Sequence, residues 1–86
     1  MNDYLLVSLN TFTLNKNVYL VRQNSVNTLG EFLLDDLGKK LVDMSLTHSV
    51  NKIKIDGGAY AERLIYEIKK EEMKLYSTNN LEIEVI

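Results

Sequence analysis

Hydrophobic and polar positions change rhythm along this chain, and the changes mark out its elements. Residues 4–14, YLLVSLNTFTL, and 18–26, VYLVRQNSV, are dense in β-branched, aromatic and aliphatic side chains. Between them lies Asn15-Lys16-Asn17, and Asn accepts the left-handed backbone that tight turns need. Two such runs around an Asn-rich triplet predict a β-hairpin. A break at Asn10-Thr11 would make it a meander of three short strands, and the pattern is compatible with either.

From Thr28 the spacing becomes helical. Leu33, Leu37, Leu41 and Met44 recur three or four apart, the period of one helix face. Thr28 and Glu31 have the spacing of a capping box, in which each side chain satisfies a free backbone N–H at the helix start. Asp35/Lys39 and Asp36/Lys40 are acid-first pairs one turn apart. One helix over about 29–48 is expected, with Gly38 inside it either as a close-approach point or as a kink.

The run NKIKIDG (51–57) then alternates, Ile53 and Ile55 facing one way and Lys52 and Lys54 the other. A second helix is expected from Ala59 to about Leu75, with Ala61, Leu64, Ile65 and Ile68 as its apolar stripe. Ser77-Thr78-Asn79-Asn80 is a turn cluster. LEIEVI (81–86) closes the chain as a strand with Glu82 and Glu84 on one face. Strand, helix, strand within this length is a right-handed βαβ unit with parallel strands. Paired, those strands put Lys52 and Lys54 beside Glu82 and Glu84. A charged sheet face excludes a covering helix, so both helices belong on the other face. The expected fold is a single α/β (α+β) domain over 1–86. It is a two-layer sandwich with a mixed sheet, an N-terminal hairpin or meander, and then α-β-α-β.

Composition narrows the function classes. The 86 residues carry ten basic and twelve acidic side chains, a net charge of −2, with 45% hydrophobic and 26% charged positions. These are ordinary globular proportions. No basic excess or stripe points to nucleic acid, whose binders neutralise phosphates. There is no Cys, hence no disulfide framework or thiolate metal cluster. No apolar run has the length of a membrane span, and the N-terminus lacks a secretory pattern. The expected location is the cytoplasm.

The chemistry-bearing stretch is Asp56-Gly57-Gly58, at the carboxyl end of a parallel strand and before a helix. Ligands bind at such places, and helix N-terminal amides attract anions. The longer phosphate-loop patterns are absent. The competing role is a tight corner in which glycine supplies a positive φ. His48, the one histidine, falls at a helix end, where a cation favours the dipole. The tyrosines Tyr4, Tyr19, Tyr60, Tyr66 and Tyr76 supply interface-type side chains. Tyr19 and Val21, with Leu6 where register permits, would form an apolar patch on the helix-free face.

The order of elements resembles the ribonuclease H-like core, and half of an actin-like ATPase domain, over nearly the whole chain. Ile55-Asp56-Gly57-Gly58 is similar to the strand-Gly-Gly-helix junction that abuts nucleotide in actin-like proteins. The chain also resembles small phage or prophage proteins. The ribonuclease H resemblance implies clustered carboxylates holding two Mg²⁺. Here the first strand offers Ser8 and Asn10 with no acid at its centre and Asp3 at its start, while Glu31, Asp35 or Asp36 could come from the first helix and Asp56 from the next strand. The set is incomplete. A non-enzymatic interaction module without cofactor is therefore the expected function, contacting a protein partner or a second copy through the open sheet face or an edge strand. The alternative is an anion- or nucleotide-binding domain using Asp56, Gly57 and Gly58, or a degenerate nuclease.

Overall fold

A computed structural model describes residues 3–74 and 81–86. The chain runs β1 (Tyr4–Leu9), β2 (Lys16–Arg22), β3 (Ser25–Phe32), a 3₁₀ turn (Leu34–Asp36), α1 (Leu37–Thr47), β4 (Lys52–Ile55), α2 (Ala61–Lys74) and β5 (Glu82–Val85). The Ser77–Asn80 turn cluster and Tyr76 lie outside the described residues. The strands form one mixed sheet in the order β3-β2-β1-β4-β5. β1, β2 and β3 are an antiparallel meander, whereas β4 is parallel to both β1 and β5.

The first turn falls at residues 10–15, because Leu9 pairs with Lys16 and Asn17 already lies in β2. The run 18–26 is itself divided by a turn at Gln23-Asn24, so the N-terminal region has three strands.

The helix expected over 29–48 is corrected to α1, starting at Leu37, and its first residues belong to β3. Thr28 pairs with Tyr19, and Gly30 with Val18. Between those pairs the register slips, so Leu29 is the extra residue of a bulge. Gly30 has φ 151°, far from helical backbone. Glu31 caps nothing: its carboxylate accepts from Asn10 Nδ2 at 2.9 Å and Asn15 Nδ2 at 2.8 Å. Pairing with an existing strand outweighed a local capping motif worth about 1 kcal/mol. Asp35 sits in the 3₁₀ turn 3.7 Å from Arg63, not on Lys39. Asp36 is the N-cap residue of α1, without a side-chain cap bond.

Alternation along the strands builds the core. Leu5, Val7, Val18, Leu20, Ile53 and Ile55 face one side and meet Leu37, Leu41, Val42, Leu64 and Ile68 of the helices. Both helices thus cover one face, giving two layers. On the other face Lys52 Nζ lies 3.4 Å from Glu84 and 4.0 Å from Glu82, and Lys54 Nζ lies 4.2 Å from the centre of the Tyr4 ring. Among the described residues no helix is long and apolar enough to cross a membrane.

Candidate functional site

The carboxyl ends of β1 and β4 lie side by side, and the chain leaves them in opposite directions, towards β2 and β5. Crevices in α/β sheets form at such points. Asp56 stands there. Its amide donates to the Val7 carbonyl at 2.8 Å, its carboxylate accepts from Ser8 Oγ at 3.3 Å, and its carbonyl accepts from the Tyr60 hydroxyl at 2.6 Å. Burial first, and the Asp56 charge second, push the Tyr60 hydroxyl above its ordinary pKa of 10.0.

The glycines beside Asp56 do not supply the positive φ expected of a tight corner. Among the described residues Gly30 is the one glycine with positive φ, so Gly57 and Gly58 are not there for left-handed backbone. Gly57 is there for proximity. Its N–H donates to the Ile86 carbonyl at 3.0 Å, and a Cβ would come 3.1 Å from that same oxygen. One amide of the corner is thus engaged by the Ile86 carbonyl. The helix is also later than expected: α2 begins at Ala61, whose N–H donates to the Gly58 carbonyl at 3.1 Å. The corner is braced by Ile86 at Gly57, and Asp56 leaves an exposed carboxylate beside it.

Lys16, which the sequence pattern places in a turn, is the residue missed here. It is buried, donates from Nζ to the Leu14 carbonyl at 2.9 Å, and lies over the Tyr60 ring at 4.9 Å. Its even-numbered alternation with Val18 and Leu20 was the available signal.

The other acidic residues do not converge on Asp56. Asp3 pairs with Arg22 at 2.9 Å at the opposite end of β1, Glu31 is held by its two asparagines, and Asp35 faces Arg63. Among the described residues no three His, Cys, Asp or Glu side chains are grouped to hold a metal ion. His48 is the residue following α1, and its carbonyl accepts from Arg22 at 3.4 Å.

The open face brings the candidate contact residues together. Leu6 pairs with Tyr19 and Tyr4 with Val21, and Val21 pairs with Val26 of β3. Side chains of directly paired residues share a face, so Leu6, Tyr19 and Val21 form one surface with Tyr4 and Val26. The first four are half-buried, and Val26 is exposed. Beyond β1 the same face becomes charged, with Lys52, Lys54, Glu82 and Glu84. Tyr60 belongs to the corner, and Tyr66 is exposed on α2. No protein-family model, curated protein or solved structure matches this chain.

Proposed function

We propose that this chain is a non-enzymatic interaction module whose open sheet face docks on protein. The observation that carries this reading is the one-sided sheet. Tyr4, Leu6, Tyr19, Val21 and Val26 lie together on the face opposite the two helices of the described residues. Tyrosine and branched aliphatics in one patch are the composition of an interface centre, and the Lys/Glu stripe beside them is a polar rim. The order of elements supports a ribonuclease H-like core used as a scaffold for contact. A first strand with no acid at its centre, and Gly57 with its amide engaged, weigh against nuclease and nucleotide-binding uses. In this reading the module is an accessory protein of phage type, acting in the host cytoplasm on a host or phage protein or on a second copy.

Light scattering over a concentration series, on the wild type and on Tyr19→Ala and Val21→Asp, tests the surface directly for self-contact. Both variants are expected to keep the circular dichroism of the fold and to lose association at concentrations where the wild type associates. Association unchanged in both, with the fold intact, would reject this face.

A further inference from the structure

We propose that the outer edge of β3 pairs with the same edge of a second copy, antiparallel and centred on Asn27, joining two five-stranded sheets into one continuous sheet. The proposal rests on backbone bonding at the sheet margin and stands or falls apart from the open-face reading.

β3 has eight residues, and among the described residues nothing pairs with its outer side. Its inner side fixes which groups face outward. Arg22 and Ser25 pair directly and are joined by Gln23 and Asn24 alone. The pair flanking a two-residue turn exchanges both backbone bonds, and along the ladder such pairs alternate with unbonded ones. Ser25 and Asn27 therefore spend their N–H and C=O groups on Arg22 and Leu20 of β2. Those of Val26 and Thr28 point away from the sheet, and both residues are exposed.

The occupant of such an edge is another strand with an unpaired edge of its own. This edge is self-complementary in bonding. Antiparallel pairing about Asn27 sets Val26 of each copy opposite Thr28 of the other, so every outward N–H meets an outward carbonyl. Centring on Val26 would leave Thr28 opposite the other copy's turn, and centring on Thr28 would set Val26 beyond the Leu29 bulge. At the two-fold axis the exposed Asn27 side chains face each other, and an amide both donates and accepts.

Charge agrees with this pairing. From Gln23 to Gly30 the chain carries no charged residue. The charges around that stretch have partners of their own. Arg22 is paired with Asp3 at 2.9 Å, Lys40 lies over the Phe32 ring at 5.5 Å, and Lys16 is buried with its Nζ on the Leu14 carbonyl. Glu31 accepts from Asn10 and Asn15, and Asn10 in turn accepts from the Phe12 and Leu14 amides at 2.9 and 2.8 Å. In the centred register each Glu31 comes level with the uncharged Gln23-Asn24 turn of the other copy, and the two carboxylates stand at opposite ends. A foreign strand selected by charge would find none on this edge to read. The β5 edge is the contrast. It has four residues, and self-pairing there would set Glu82 beside Glu84 of the other copy, the kind of charge that keeps edges apart. The β3 joint is short, so the dimer belongs to the weak, concentration-dependent class.

Hydrogen exchange on the full chain, over a concentration series reaching about 1 mM, reads the contact residue by residue. The Val26 and Thr28 amides are expected to gain protection with concentration, while Ser25 and Asn27, bonded within the sheet, hold theirs. Asn27→Lys and Asn27→Asp change an exposed side chain and should keep the circular dichroism of the fold. Each should weaken association about fivefold by opposing like charges, and an equal mixture of the two should restore it. Tyr19→Ala should leave the Val26 and Thr28 protection in place. Protection that does not change with concentration, wild-type association in both Asn27 variants, or no recovery in the mixture would overturn the proposal. So would protection that appears only when a (Thr-Val)3 peptide is added, which makes an unlike strand the occupant. Association lost in Tyr19→Ala and kept in both Asn27 variants would overturn the edge and leave the open face standing. Association kept in Tyr19→Ala and Val21→Asp, with Val26 and Thr28 protected, would support the edge and reject the open face as the self-contact.

Discussion

Gly38 sets the distance between the two helices. A Cβ at this position would lie 2.6 Å from Glu67 Cβ and 3.0 Å from the Glu67 backbone carbon. Two effects oppose each other in Gly38→Ala. The helix gains about 1 kcal/mol of propensity, while forcing a methyl into a filled contact costs about 1–3 kcal/mol. The contact is with backbone, which yields less than a side-chain tip, so a net loss of about 1–2 kcal/mol is expected. Urea unfolding with an unchanged m-value measures it, and a stabilised variant would show that the helices separate freely. Glu31 gives a second residue-scale expectation. The Asn15 hydrogen bond foremost, with Thr13 and Asn10 adding to it, holds its carboxyl below the ordinary 4.5. A lowered folded pKa means a stabilising contribution that is present above about 4.5 and lost as pH falls through the folded value. The amide resonances of Phe12 and Leu14 should therefore move on acidification below that range, and Glu31→Gln should remove the movement. Titration of those amides at or above 4.5 would contradict the assignment. The two roles were legible to different degrees. Gly38 was recognised as a close-approach candidate without its neighbour, and Glu31 offered a local partner three residues away that the fold does not use.

Elements were legible where periodicity extended over several residues and unread where a short motif competed with a long-range partner. β4, α2 and β5 follow from alternation and from the Ala61, Leu64, Ile68 stripe, because burial on one face imposes the pattern directly. The segment 25–32 puts Val26 and Thr28 on the open face and Phe32 on the other, the Leu29 bulge switching between them, so no single alternation marks it as a strand. It also carries Thr28 and Glu31 at capping-box spacing, and sequence alone cannot see that β2 supplies a pairing edge. Gly30→Ala separates the two readings by sign. In a helix the change would stabilise by about 1 kcal/mol. In the bulge, where φ is 151° and the new Cβ would meet Phe32 Cζ at 2.8 Å, it should cost about 1–3 kcal/mol. A thermal melt of that variant alone decides whether β3 is a strand in solution. The candidate site was legible to a similar degree: the shared face of Leu6, Tyr19 and Val21 is read from strand alternation, whereas the approach of Ile86 to Gly57 needs the whole fold. The Phe12 loop is hidden in the sequence because its aromatic continues the apolar run that starts at Tyr4.

At the scale of the molecule, a sheet covered on one side has a graded stability. β1 is paired on both edges, by β2 and β4, and β4 by β1 and β5. Leu5, Val7, Ile53 and Ile55, which these two strands contribute to the core, are all fully buried. β5 is a four-residue edge held by β4 alone, with Ile83 only partly buried. Edge amides open by local fraying, whereas central ones require most of the core to separate. Hydrogen exchange should accordingly be slowest at the paired amides of β1 and β4 and faster in β5. The grading also predicts how substitutions spread. Leu5→Ala removes a fully buried side chain at a cost of about 2–5 kcal/mol, a large share of the roughly 5–15 kcal/mol that holds a domain folded. It should accelerate exchange across β1, β4 and both helices together. Ile83→Ala should accelerate β5 and leave β1 at its wild-type rate, since β5 can open without the centre. If Ile83→Ala lowers protection in β1 as much as in β5, the edge strand and the centre unfold as one unit, and the open face is then a surface of a single cooperative body rather than of a stable centre with a loose margin.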